Sequence, residues 1–378
     1  MQESENCKQY DEFESAEERE LLDIFRRVLQ NPSFEVNDNF FEFGGDSLLT
    51  IRLSSELRKI GYNVEPKMIF MFPMVKELSK ILCTDNDNSK EVRSPEDYLI
   101  KIHDGDENGT NLILAPPAGG TILGYIELAR HFKSLGNVYG IQAPGLYENE
   151  NPQYLNFDEM VSFCVDSIKD TFRPGLDYIG GHSLGGHFAY AMCIELKKRG
   201  LMPKGILILD TLPKLNKINT EVKKDISEEE FKLFVLTMGI GNMLNHDFSY
   251  LKEMKYEDAK AEIIRISKED SYISSFFDEE YLDKYLKMQF HHILLARDVV
   301  LPKCELDIPI KIVRTTENEQ YVKALFNEWQ EYTSQKIEIV DFESNHTSIR
   351  SVSRFMGFPD GETSTMSSTY GRWRSIFS

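Results

Sequence analysis

The sequence predicts a small all-α bundle followed by a larger α/β domain with a mostly parallel sheet and a helical insertion. Three observations carry this. Residues 15 to 83 show helical periodicity and no strand signal of any length. From residue 98 onward, short β-rich runs alternate with helical stretches, the order that builds a sheet covered on both faces. That alternation is interrupted once, between about residues 213 and 305, by a long stretch that is helical by period and rich in Phe, Tyr, Leu and Met.

In the bundle, AEERELLDIFRRVLQ places Leu21, Leu22, Phe25, Val28 and Leu29 at helical spacing, with Ser15 as cap and Glu18 three residues later. Asn31-Pro32 ends it. SLLTIRLSSELRKIG turns Leu48, Ile51, Leu53 and Leu57 to one side and stops at Gly61. MVKELSKIL, after Pro73, reads as a third short helix. Residues 84–97, TDNDNSKEVRSPED, are polar and without period, and read as a linker.

Over residues 98–355 the candidate strands are YLIKI, NLILAPP, NVYGIQAP, LDYIGGHS, GILILD, IPIKIVRT and QKIEIVD. Helical patterns such as ILGYIELARHFKSLG, NFDEMVSFCVDSIKDTF and GGHFAYAMCIELKKRG lie between them. The insertion at about 213–305 is expected to be a lid, because a connection that long is usually functional and lids exclude water from a reacting centre. Residues 357–378, rich in Ser, Thr and Gly, are expected to be disordered.

A chain of 378 residues exceeds a usual single core, which favours two domains. The formal charge of −19 argues against nucleic acid or an anionic membrane as main partner, because phosphates would be repelled. The five cysteines lack paired spacing, so neither a disulfide framework nor a zinc site is expected. The amino end is acidic and no apolar run is long enough to span a bilayer, so a cytoplasmic protein is expected.

Two serines stand in reactive surroundings. GGHSLGGH, residues 180–187, fits G-x-S-x-G around Ser183, between a β-run and a helical pattern, as a nucleophile elbow requires. A serine hydroxyl needs a base, and the base an orienting acid. Asp210 ends the strand GILILD and is the favoured acid; Glu317, after IPIKIVRT, is the alternative. His346, in FESNHTSI after the last strand, is the histidine at the expected chain position. His131, His246, His291 and His292 read as ordinary surface or core histidines, and His182 and His187 as neighbours that point away from Ser183. The backbone N–H groups of Leu184 and of Ala118, in ILAPPAGGT, are the candidate oxyanion donors.

The other serine, Ser47, follows Gly44, Gly45 and Asp46 at the start of a helical pattern and could simply be an N-cap. Its wider setting is DNFFEFGGDSL, with Asp38, Phe40 and Phe41 ahead of the glycines. Residues 15–83 thus resemble the carrier domains of non-ribosomal peptide and polyketide synthases. Their serine carries phosphopantetheine, and Ser47 is the matching position. Asp46 stands where peptidyl carriers commonly have His, which leaves the carrier type open.

Residues 98–355, through PPAGG at 116–120, GHSLGG at 181–186, Asp210, the helical insertion and NHTS at 345–348, resemble the terminal thioesterases of such synthases. The resemblance implies an α/β-hydrolase domain that takes an acyl or peptidyl chain from the Ser47 arm onto Ser183 and releases it by hydrolysis or macrocyclisation. It also implies upstream synthetase domains and a phosphopantetheinyl transferase as partners. A plain esterase or lipase, or a non-catalytic binding platform, is the alternative.

Overall fold

The computed structural model describes residues 15–45, 47–62, 64, 66–84, 94–129, 136–145, 154, 156–214, 226–240, 247–269, 279–303, 305–316 and 320–342. The chain divides into two compact units, residues 1–92 and 93–378.

In the first unit, helix α1 spans Ala16–Leu29, with the Ser15 hydroxyl accepting the Glu18 N–H at 3.2 Å. Gln30, at φ 52°, closes it. Helix α2 spans Ser47–Lys59, α3 Pro66–Met71 and α4 Val75–Thr84. The described unit therefore has four helices where the sequence predicted three. The six residues of α3 are too few to repeat an apolar period, and Pro66 starts it as a first-turn proline. Leu21, Phe25, Phe34, Phe40, Leu53 and Leu57 are fully buried at its centre. Phe25 stacks on Phe34 and meets the edge of Phe40, with ring centres 5.7 and 5.6 Å apart.

Among the described residues of the second unit, seven strands form one sheet: β1 Leu99–His103, β2 Leu112–Ala115, β3 Val138–Ile141, β4 Tyr178–His182, β5 Gly205–Leu209, β6 Ile310–Thr315 and β7 Glu338–Phe342. The order is β1-β3-β2-β4-β5-β6-β7, with only β1 antiparallel to its neighbour. Alternate residues feed opposite faces, as the two-residue strand period demands. Ile113, Ile179, Ile206, Ile208, Ile310 and Ile312 join one core. Leu112, Leu114, Leu207, Leu209 and Val313 join the other.

Between these strands lie α5 Ile126–Ala129, α6 Phe157–Ser167 and α7 Leu184–Lys198. The predicted helix at 122–136 opens as a 3-10 turn, Ile122–Tyr125, before α5. The insertion contributes α8 Glu228–Phe234, α9 Tyr256–Glu269 and α10 Glu279–Ala296; α11, Gln320–Leu325, follows β6. Phe231, Leu236, Phe248, Leu251, Ile263, Leu282 and Leu286 give the insertion a core of its own.

Part of the predicted linker is anchored. Asp97 accepts the Ser94 N–H at 2.8 Å and its hydroxyl at 3.1 Å, and Tyr98 packs edge-on against Phe163 of α6. The polar composition of 94–97 reflects this capped turn and not a free coil. The tail at 357–378 lies outside the described residues.

Candidate active site

Strand β4 ends at His182, which pairs with Leu209, the last residue of β5. The next residue of each strand, Ser183 and Asp210, therefore occupies a neighbouring position on the carboxyl edge of the sheet. Both have positive φ, 55° and 47°, which L side chains rarely adopt. Ser183, at ψ −127°, is the turn between β4 and α7. The glycines around it follow from close packing. A Cβ at Gly181 would lie 2.1 Å from the Gly185 carbonyl oxygen, and one at Gly186 would lie 2.4 Å from the Thr211 hydroxyl. The elbow is thus fixed by its surroundings. The Ser183 N–H donates to Leu209 O at 3.1 Å, and the Thr211 hydroxyl donates to Ser183 O at 2.6 Å. Trp329 Nε1 in turn donates to Thr211 O at 2.7 Å.

Asp210 is 5% exposed. Its Oδ1 accepts the Thr315 N–H at 2.9 Å, and the Thr315 hydroxyl lies 3.3 Å from both carboxylate oxygens. Thr315, the last residue of β6, therefore orients the Asp210 carboxylate. Sequence reading missed it, because its signal is only a strand-end threonine.

Strand β2 ends at Ala115, paired with Gly181. The chain then turns through Pro117–Gly120, where the Gly120 N–H donates to Pro117 O at 2.8 Å. Gly120 O accepts from the Ala143 N–H at 2.9 Å and from Gln142 Nε2 at 3.0 Å. This closure leaves the Ala118 N–H unused by the turn. Leu184 is the first residue of α7, so its N–H has no intrahelical acceptor. The Tyr125 hydroxyl fixes the frame: it donates to Ala115 O at 2.8 Å and accepts the His182 N–H at 3.0 Å.

The histidines separate by burial. His346 and Glu317 lie outside the described residues, as do His131 and His246; β7 ends at Phe342 and β6 at Thr315. His187 is buried beside Trp329, and burial pushes its pKa down to about 4. A ring so reluctant to accept a proton is a poor base for a serine hydroxyl. His292, on α10, is fully buried and likewise held at about 4 by burial. It reaches the Pro117–Gly120 turn, which its sequence context did not announce. Among the described residues no group of three or more His, Cys, Asp or Glu side chains could hold a metal ion.

In the first unit, Ser47 is the first residue of α2, and Gly44, three positions ahead of it, ends a turn with φ 97°. The first-turn N–H groups of a helix lack intrahelical acceptors, and its dipole favours negative charge. That position fits the phosphodiester of a phosphopantetheine arm.

Comparison with known families agrees with both halves of this geometry. The family described as "Thioesterase domain" matches residues 110–358. The chain belongs to the thioesterase family. The family described as "Phosphopantetheine attachment site" matches residues 19–82, so a carrier domain precedes the thioesterase domain. Among curated proteins, the dimodular nonribosomal peptide synthase of Bacillus subtilis (strain 168) is 26% identical over 344 residues, 87% of this chain. The chain spans 13% of that synthase's length.

Among solved structures, the wild-type Vlm2 thioesterase domain is 43% identical. The match covers 69% of this chain and 98% of the Vlm2 domain, with a TM-score of 0.54. The same domain bearing genetically encoded 2,3-diaminopropionic acid and bound with a dodecadepsipeptide is 37% identical, covering 74% and 98%, with a TM-score of 0.55. The thioesterase has no helix, among its described residues, long and apolar enough to cross a membrane.

Proposed function

We propose that the protein releases an acyl or peptidyl chain from its own carrier domain through an ester on Ser183. The observation that carries this reading is the strained serine elbow beside Asp210, in a chain that also has a phosphopantetheine attachment domain. Ser183 is the nucleophile, His346 its base and Asp210 the acid that orients the base, with Thr315 fixing the carboxylate. The N–H groups of Ala118 and Leu184 receive the oxyanion. Ser47 is the attachment residue, modified by a phosphopantetheinyl transferase. The attached arm presents the chain as a thioester, whose thiol is a good leaving group.

In the first step the Ser183 oxygen bonds to the thioester carbonyl, its proton passes to His346, and the carbon–sulfur bond breaks as the thiol takes that proton. In the second, water or a nucleophile of the chain itself attacks the Ser183 ester. His346 now takes the attacker's proton and returns it to Ser183. Release to water gives an acid; attack from within the chain gives a macrocycle.

The likeness to a depsipeptide-bound thioesterase supports an extended peptidyl or depsipeptidyl substrate. Upstream synthetase modules would build it, and the reaction would take place in the cytoplasm.

A soluble acyl-N-acetylcysteamine thioester tests the roles separately. His346→Ala and Asp210→Asn are expected to lower kcat/KM by about 10³-fold or more, and Ser47→Ala to leave it unchanged. Full activity in His346→Ala, or equal loss in Ser47→Ala, contradicts the assignment.

A further inference from the structure

The Pro117–Gly120 turn is touched by one face of the insertion helix α10. A Cβ at Gly119 would lie 2.1 Å from the Tyr285 ring, and one at Gly120 would lie 2.9 Å from Met288 Cγ and 3.5 Å from His292 Cε1. Residues 285, 288 and 292 share a helical face by their spacing. His292 also makes a polar bond to the turn: its Nδ1 lies 2.8 Å from Ala118 O. Its Nε2 meets the hydroxyl of Tyr154, which is itself 2% exposed and also lies 3.5 Å from Met288 Sδ.

These contacts fix the protons. A carbonyl oxygen can only accept, so Nδ1 carries the hydrogen and donates it to Ala118 O. Nε2 is then a lone pair, and the Tyr154 hydroxyl donates to it. The pair is neutral throughout: burial holds the imidazole pKa at about 4 and pushes the phenol's well above its ordinary value.

The Ala118 carbonyl belongs to the central peptide of a β-turn, the Ala118–Gly119 unit. A glycine at the third turn position permits two orientations of that peptide, the type I and type II arrangements. The closing bond from Gly120 to Pro117 is common to both and cannot choose between them. The bond from His292 can, because only one orientation presents the Ala118 oxygen to Nδ1.

We propose that His292, buttressed by Tyr154, is a positioning residue that anchors Ala118 by its carbonyl and so keeps that residue, whose N–H lies on the neighbouring Pro117–Ala118 peptide, in place for the oxyanion. It acts through Ala118 and touches no reacting atom. The proposal rests on the reading of Ala118 as an oxyanion donor. A donor held in place before charge develops lowers the barrier, whereas one on a residue that is free to shift must be repositioned in each turnover. The turn is thereby made dependent on a helix of the insertion.

The test uses a property of this sequence: Ala118-Gly119 is its only Ala-Gly pair. Full-length protein labelled with ¹³C-carbonyl alanine and ¹⁵N-glycine therefore gives a single carbonyl-to-amide cross-peak, from the very peptide that His292 holds. His292→Leu is expected to shift that peak or broaden it by exchange. On octanoyl-N-acetylcysteamine it should also lower kcat about 10- to 100-fold, with KM changed less than threefold. His292→Asn, whose amide nitrogen can stand where Nδ1 stood, should restore the peak and most of kcat. Tyr154→Phe should fall between the two.

A cross-peak unmoved in His292→Leu, or a parental kcat in that variant, overturns the proposal. Loss in His292→Asn equal to that in His292→Leu overturns it too, since only the donor was meant to matter. If instead Ser183→Ala keeps parental activity, the functional reading fails, and the cross-peak still decides whether His292 holds the turn.

Discussion

The two edges of the sheet in the thioesterase domain are built differently. At the amino edge, the Asp177 carboxylate is fully buried and accepts N–H bonds from Asn111 at 3.0 Å and Arg173 at 2.9 Å, with the Arg173 guanidinium 2.7 Å away. The same arginine reaches Gly109 O, and Asn111 Oδ1 takes the Asn137 N–H at 3.0 Å. The segments leading into β2, β3 and β4 are thus joined around one paired charge. At the carboxyl edge, Ser183 and Asp210 are held at positive φ by the packing of Gly181, Gly186 and Thr211. One edge spends its polar groups on binding the strands together, and the other stores backbone strain at the residues proposed to react. Strain of this kind costs about 1–3 kcal/mol per residue and persists where neighbours over-determine it.

If that contrast is right, changes at the two edges should separate activity from stability. The largest effect is expected from Ser183→Ala, which should lower kcat on a soluble thioester by about 10⁴-fold or more without lowering the unfolding midpoint. Ser183→Gly should be equally inactive but at least as stable as the parent, since glycine accepts positive φ. At the other edge, Asp177→Ala should lower the unfolding free energy by about 1–3 kcal/mol in urea titration, because it leaves the buried Asn111 N–H without its acceptor. The folded fraction should keep its kcat within about twofold. A loss of kcat in Asp177→Ala at full folding would erase the distinction.

Acid should act on the buried histidines. His187 and His292 are held at about 4 by burial, against an ordinary value of 6.5. Between those values the unfolded chain binds more protons than the folded one, so stability falls as pH drops from about 6.5 to about 4 and then levels off. For two such groups the slope approaches about 2.7 kcal/mol per pH unit. His187→Gln is expected to remove about half of it in urea titrations across that range; an unchanged slope would refute the assignment. The smallest effect is expected at Thr315→Val, which removes the hydroxyl near Asp210 but keeps the backbone bond. Stability should fall by about 1 kcal/mol and kcat by roughly tenfold.

All seven strands and the Ser183 elbow were legible in the sequence because each is local: a short β-run with its flanking turn, or glycines at fixed offsets from a serine. That Asp210 directly follows a strand was legible for the same reason. Helix α3 was not, since six residues between Pro66 and Pro73 carry no period. Tyr125, Thr211, Thr315 and the Tyr154–His292 pair were also invisible. Each acts on a backbone group or side chain brought close only by the fold, 174 residues away in the case of His292 and Ala118. His292 in particular reads as one more helical histidine, and only its complete burial against the Pro117–Gly120 turn gives it a role.

The central claim is a transfer between two serines, and intact mass measured over time tests it most directly. Incubating the protein with a phosphopantetheinyl transferase and an acyl-coenzyme A thioester should add one acyl-phosphopantetheine mass, at Ser47. That adduct should lose its acyl group in the parent and persist in Ser183→Ala. No addition, or equal decay in both proteins, would contradict the transfer.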